Sequence, residues 1–453
     1  MLLRRHARFL PIVGLLAFTF FVFFTLRLSS ETSITLPSFR GGSSAESAAS
    51  FDQSGATEKT DGTGKIVPPG AVYVEGAYNE IFSVSTADKK YFPIHFGEWD
   101  AINPNAIPHP SLEDTWIIVA QKQRGEVKDS VFFAELVCNA KFKKGTLICV
   151  DSPLILPIGT TPVSYDSCTG DRAYFGWSVG PHDARVFYGP SLPYAIYGST
   201  ALHACLGQWI LDFRVLVDWG FEFFDKDQFR IPTELQRPPP YNFMEKNYFL
   251  FWDKDQQMYV HHDIAPKRVF TQLSYNGTVG PDLALQAAAS DENCMAKYMP
   301  TLTPPHETLH QATNSLSITL CKRSDPACKP SDSNTFIMTI FQHKKKFSDH
   351  ILYEPYVMLF QQVAPFAVHG ITSKPFWING RGKQGEWKGE DKKIMNQTQF
   401  LYVTSLSWKS HGQKYHGYID DVILVLFGIE DVSTGGIDVV AGDLLKGLNL
   451  CGS

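Results

Sequence analysis

Helical periodicity is the scarcest feature of this chain. Across 453 residues few windows keep apolar residues at helical spacing, and 282–289 and 443–450 are the best short stretches. A helical bundle is thereby excluded. An alternating strand–helix pattern near the N-terminus is also missing, which argues against a nucleotide-sugar transferase of the α/β type. Charge is sparse and balanced: charged residues make up 19% and the net charge is -5, leaving no electrostatic footprint for nucleic acid. No G-x-S-x-G, Walker loop, H-E-x-x-H or C-x-x-C motif occurs. The eight cysteines lack metal-ligand spacing, and their even number fits disulfides in an oxidising compartment. Cys138 and Cys149 are spaced to staple a hairpin, and Cys321 and Cys328 to close a small loop, with the connectivity left open.

What is present favours strands. Hydrophobic residues reach 44% and aromatics 13%, with 33 Phe, 18 Tyr, 28 Pro and 34 Gly. This is the composition of a large core built from many short strands and turns.

The N-terminus reads as an address. Arg4, Arg5 and Arg8 precede an almost unbroken apolar run over residues 9–26, at the lower end of what spans a bilayer. A cleaved signal peptide is the alternative, but the run exceeds the usual apolar core and no small-x-small site follows Leu26. The arginines place residues 1–8 in the cytosol. Residues 29–70 are rich in Ser, Gly, Thr and Ala and read as a disordered stem. Residues 71–453 then form a lumenal domain. Tail, single span, stem and large domain make the layout of a type II Golgi membrane enzyme. The sequons at Asn276 and Asn396 fit glycosylation in that lumen.

Strand-like runs recur in five groups, whose first members lie near residues 115, 182, 245, 315 and 400. Spacings of roughly 60–85 residues suit four-stranded blades with long loops. The predicted fold class is therefore all-β, a five-bladed β-propeller, with a pair of β-sandwiches as the other reading.

The second group opens on Gly180-Pro181-His182-Asp183-Ala184-Arg185-Val186. Asp183 and Arg185 are two apart, so on a strand they share one face, opposite Val186 and Tyr188. A structural salt bridge would also explain the pair. Polar residues stand at the entrance of the other groups too: Glu113 and Asp114; Glu245, Lys246 and Asn247; His310 and Asn314; His416, Asp420 and Asp421. Singly, each is an ordinary strand-entry residue. In a propeller the inner strands would bring all of them to one channel. Glycoside chemistry has a use for such a ring, because it needs proton-transfer carboxyls and, for a phosphate-bearing reactant, cations. Asp183, Glu245 and Asp114 are the candidate proton-transfer groups, and Arg185 and Lys246 suit an anion.

The His182–Val186 stretch resembles the acid-Pro-Arg strand of the β-mannoside phosphorylases and β-1,2-mannosyltransferases, a superfamily of five-bladed propellers. Glu245-Lys246-Asn247, followed by Tyr259-Val260-His261-His262, resembles their third-blade strand. Gly417-Tyr418-Ile419-Asp420-Asp421-Val422-Ile423 is similar to their closing-blade signature. This chain departs from the pattern where Ala184 replaces Pro and His182 replaces an acid. The resemblance implies a propeller, a glycan substrate, and site roles for Asp183, Arg185, Lys246, Asn247 and Asp421. The expected activity is a mannosyltransferase-like one, with a sugar-phosphate or nucleotide-sugar donor. A hydrolase or phosphorylase on the same scaffold, or a non-catalytic lumenal glycan-binding protein, are the alternatives. The sequence names no cofactor and no metal ligand set.

Other signals read as structure. Asp225-Lys226-Asp227 and Asp253-Lys254-Asp255 match D-x-D, a pattern of two spaced acids common by chance, and are read as turns. His261 and His262 face opposite ways on a strand and cannot share a metal. Lys344-Lys345-Lys346 reads as a solvated loop. Trp209, Trp219, Trp252, Trp377 and Trp408 are expected in the core.

Overall fold

A computed structural model describes residues 72–123, 131–159, 168–170, 173–219, 228–347, 350–388 and 396–451. The apolar run 9–26, the stem 29–70 and the D-x-D at 225–227 lie outside them. Among the described residues no helix is long and apolar enough to cross a membrane.

The described chain is all-β, arranged as five antiparallel meanders. The first is Ala101–Pro108, Trp116–Lys122, Glu135–Lys143 and Thr146–Cys149. The second is His182–Tyr188, Pro193–Ser199, Gly207–Asp212 and Thr233–Glu234. The third is Phe249–Trp252, Met258–Asp263 and Val269–Gln272. The fourth is Leu316–Thr319, Thr335–Lys346, Ile351–Gln361 and Val368–Thr372, extended by Glu307–Gln311 and Leu448–Leu450. The fifth is Leu401–Trp408, Val422–Ile429 and Ser433–Val440, completed by the early strand Phe92–His95. That early strand also pairs in parallel with Thr146–Cys149, tying the last meander to the first.

Several of these strands escape the sequence reading, Ala101–Pro108 and Phe92–His95 among them. Ala101–Pro108 contains two prolines, which disfavour a strand interior. It is nonetheless a strand, because a bulge between Ile102 and Asn105 takes the irregular Asn103-Pro104 step out of the ladder. The strand Phe92–His95 is too short to show alternation and is recruited by partners far along the chain. The expected helix at 282–289 resolves into a 3-10 turn, Ala284–Gln286, and the start of a helix at Ala288–Tyr298. The stretch 443–450 holds only the end of the helix Ala441–Leu444, and Gly447 at φ +70° turns the chain into the strand Leu448–Leu450.

Aromatic side chains fill the space between meanders. Phe251 meets Phe360 and Tyr259 at 5.1 Å and Phe366 at 5.3 Å, joining the third meander to the fourth. Each such burial contributes about 1.5–3 kcal/mol. The five tryptophans assigned to the core are all buried. Arg268 is sandwiched between Phe270 and Phe360 and neutralised by Asp291 of the helix at 2.7 Å. Disulfides join Cys138 to Cys149, Cys168 to Cys205, Cys294 to Cys451 and Cys321 to Cys328. Both pairs suggested by spacing are among them.

Candidate active site

The first strands of three meanders, Ala101–Pro108, His182–Tyr188 and Leu401–Trp408, pack on one another. Each carries a bulge near its start, between Ile102 and Asn105, His182 and Arg185, and Val403 and Ser405. Bulges re-aim side chains. Asn103 and Asp183, with φ of +55° and +50°, occupy the left-handed region at these places, as does Asn247 (+63°) just before Phe249–Trp252. Asn and Asp tolerate that region better than other side-chain-bearing residues do.

Asp183 is exposed at the strand entrance, and its carboxylate accepts a hydrogen bond from Asn103 Nδ2 at 2.7 Å. Arg185 is buried; it donates through Nε to the Ala312 carbonyl at 3.2 Å and through its guanidinium to the Asp183 carbonyl at 3.1 Å. The Tyr402 hydroxyl meets Arg185, and burial pushes its pKa up to about 12. The Tyr402 ring lies 4.6 Å from Tyr353, which in turn lies 5.9 Å from His310. The Lys344 ammonium sits 5.7 Å from the Tyr353 ring. Burial, with Lys344 and Lys246 nearby, lowers His310 to about 3, so the ring is neutral near pH 7. Lys344 is itself lowered by burial and by Lys246 and Lys346, against the pull of Asp431.

Asp431 completes the cluster. It stands at the tip of the hairpin joining Val422–Ile429 to Ser433–Val440, at φ +50°. Solvent reaches its side chain, yet protein displaces much of the surrounding water. That loss, together with Asp183 and Glu430 and opposed by Lys344, raises its carboxyl to about 6. All five meanders or their flanks thus supply the cluster: Asn103 from the first, Asp183 and Arg185 from the second, Lys246 from the third, His310, Lys344 and Tyr353 from the fourth, and Tyr402 and Asp431 from the fifth.

Four residues named from sequence, Asp183, Arg185, Lys246 and His310, meet here. The others, Asn247 apart, stand elsewhere. Glu245 is buried, receiving hydrogen bonds from the Asn242 amide, the Tyr248 hydroxyl at 2.7 Å and the Arg237 guanidinium at 3.1 Å. Asn247 is half-buried at its left-handed step. Asn314 spends both ends of its amide on the Leu406 backbone. Asp114 occupies an exposed turn beyond Pro108. The Pro108 carbonyl accepts from the Tyr188 hydroxyl at 3.0 Å. Asp114 therefore belongs to the far end of the strand that Asp183 opens, about 20 Å away along the chain direction.

His416, Asp420 and Asp421 also gather at that far end, beside a cleft of about 590 Å³. His416 bonds Thr319 at 2.8 Å. The guanidinium of Arg323 grips Asp421 at 2.7 and 2.8 Å, and Asp420 accepts from Ser324 and the Arg323 amide. Burial alone would raise both carboxyls, but these donors hold them below the usual range. Asp253 of the described D-x-D accepts from the backbone of Asp255 and Gln257 and from the Tyr259 hydroxyl, as a turn cap does. Among the described residues no group of three or more His, Cys, Asp or Glu is placed to hold a metal ion. Asn276 is exposed in a turn, its amide oxygen 2.6 Å from the Thr278 hydroxyl; Asn396 is exposed, with Thr398 of its sequon buried.

Sequence reasoning missed Asp431, Tyr353 and Tyr402, because one sits in a hairpin turn and two on strands with ordinary alternation. It also read Lys344 as loop. The lysine lies two residues before the end of the long strand Thr335–Lys346 and is half-buried.

No family model matches the chain, and no curated protein matches it. Its structural neighbours are carbohydrate-active enzymes. A β-1,2-mannobiose phosphorylase from Listeria innocua is similar at 9% identity and TM-score 0.40, over 83% of this chain and 98% of that one. A GDP-Man-dependent mannosyltransferase from Leishmania mexicana is similar at 9% identity and TM-score 0.40, over 77% and 89%. An exo-1,5-α-L-arabinanase from a bovine ruminal metagenomic library is similar at 8% identity and TM-score 0.38, over 75% and 92%. Similarity this low leaves the chemistry of the chain to its own side chains.

Proposed function

We propose that this chain is a glycosyltransferase acting on mannose-containing glycans, with the five meanders as blades of a β-propeller and the reaction centre at Asp183. The observation that carries the reading is the convergence of side chains from all five meanders on two neighbouring carboxyls, three cations and two tyrosines. In transfer, an acceptor hydroxyl attacks the anomeric carbon of the donor while the bond from that carbon to a phosphate oxygen breaks. The hydroxyl proton passes to a carboxylate, for which Asp431 and Asp183 are the candidates. Arg185, Lys246 and Lys344 balance the charge on the departing phosphate. Tyr353, Tyr402 and neutral His310 are suited to sugar hydroxyls.

A phosphorylase is the second reading, favoured by the same three cations, which suit inorganic phosphate as the incoming group. There a carboxyl must instead protonate the departing oxygen. The two readings predict opposite pH limbs. With Asp431 near 6, a base is gained as pH rises, so transfer accelerates through about pH 6; an acid is lost, so phosphorolysis slows there. Rate profiles with a nucleotide-sugar donor and with a mannoside plus phosphate distinguish them. In either case Asp431→Asn should abolish the limb, and a profile unchanged by that substitution removes Asp431 from proton transfer.

The Golgi anchor is part of the proposal. It is supported by the apolar run at 9–26 and by four disulfides, which suit an oxidising lumen. In sealed microsomes the domain should resist added protease until detergent is present. Digestion without detergent counts against the topology.

A further inference from the structure

The backbone at Asp183 is held in a way that a plain strand does not need. The bulge moves the register from His182↔Gly198 to Arg185↔Ile196, so the two residues between them lose regular ladder partners. Buried polar groups so released must find others. The first meander supplies them. The Asp183 amide donates to Gln121 Oε1 at 3.0 Å, and the Ala184 amide donates to Glu135 Oε1 at 3.0 Å. The Ala184 carbonyl accepts from Asn105 Nδ2 at 2.7 Å. Gln121 and Glu135 are directly opposite each other on neighbouring strands, so two consecutive amides meet two cross-strand partners. Both side chains are buried, Glu135 completely.

We propose that Gln121 and Glu135 are positioning residues, clamping the Asp183–Ala184 peptide so that the Asp183 carboxylate enters the reaction centre in one orientation. The proposal rests on the reading of Asp183 as a proton-transfer group. Glycine would meet the left-handed position at no steric cost. Here an acid occupies it, with its exposed side chain directed to the cluster and its backbone gripped from below. Glu135 is suited to a place beneath a carboxylate. Burial, and to a smaller extent Asp183, push its carboxyl well above the ordinary range, while the Ala184 amide and Arg185 oppose that rise. That rise favours the neutral acid, which adds no second negative charge.

The test uses the full-length chain and two readouts. Amide hydrogen exchange over residues 183–184 reports the clamp whatever the activity. Steady-state kinetics of the wild-type reaction reports its use. Gln121→Met and Glu135→Ala should speed exchange there and lower kcat at least about tenfold, with KM changed about twofold or less. Glu135→Gln, which keeps an acceptor of the same shape, should restore both. Should Glu135→Ala fail to fold, Gln121→Met at the strand end and Glu135→Gln decide the matter. Unchanged exchange in Gln121→Met overturns the clamp, and faster exchange with kcat unaffected overturns its catalytic use. If Asp183→Asn leaves wild-type turnover intact, the reading of the site fails; the exchange result still reports the clamp separately.

Discussion

Asp183→Asn is expected to lower turnover by about 10²–10⁴-fold, the range for losing a positioned proton-transfer group. The substitution is unusually clean at this place. Asparagine tolerates the left-handed backbone that Asp183 adopts at φ +50°. It also keeps an oxygen able to accept from Asn103, now at 2.7 Å from the carboxylate. The thermal midpoint should therefore stay within a degree or two of wild type, so lost activity reads as lost chemistry. The measurement is product formation with candidate donors and mannose-containing acceptors, alongside a melting curve. Full activity in this variant would remove the centre from where we have put it, and would favour a protein that binds glycans without transforming them.

Glu245→Ala should do the reverse. Glu245 shares one buried guanidinium with Asp263, since Arg237 reaches Glu245 at 3.1 Å and Asp263 at 2.5 Å. Tyr248 and the Asn242 amide use its remaining capacity. Deleting it removes the guanidinium's buried partner, leaving only half-buried Asp263, and two further hydrogen bonds, and breaking a buried pair costs about 3–5 kcal/mol. Urea denaturation should show the midpoint falling at little-changed slope, while the folded fraction keeps a kcat within about twofold of wild type. A stable but inactive variant would return Glu245 to the list of catalytic groups. The pair of substitutions thus separates two carboxylates that look alike along the chain.

They look alike because strand entrances attract polar residues for several physical reasons. Glu245 and Lys246 are neighbours in sequence, yet one is buried against Arg237 and the other exposed beside His310 and Lys344. Alternation alone foretells that they point apart, but not which of the two directions holds the site. The same limit explains His416, Asp420 and Asp421. Their segment reads as another strand entrance, but His416–Tyr418 pairs in parallel at the edge of the fourth meander, at the end remote from Asp183. Asp431 carried no signal of its own, since an acid in a hairpin turn is ordinary until the hairpin is folded over another acid.

Local chemistry written along the chain was enough for the all-β class, the grouping of strands, two of the four disulfides, and the Asp183–Arg185 pair on one face. Each depends on periodicity or on partners close in sequence. Tertiary structure alone decided that Asn103, Lys344, Tyr353, Tyr402 and Asp431 surround that pair, and that Glu245, Asn314 and Asp421 are spent on neighbours. Apart from Glu245, whose partners Arg237, Asn242 and Tyr248 are close in sequence, those outcomes depend on contacts between residues tens to hundreds of positions apart. The bulges and left-handed steps that aim the side chains appear only when strands are in register, and register is a property of the assembled sheet.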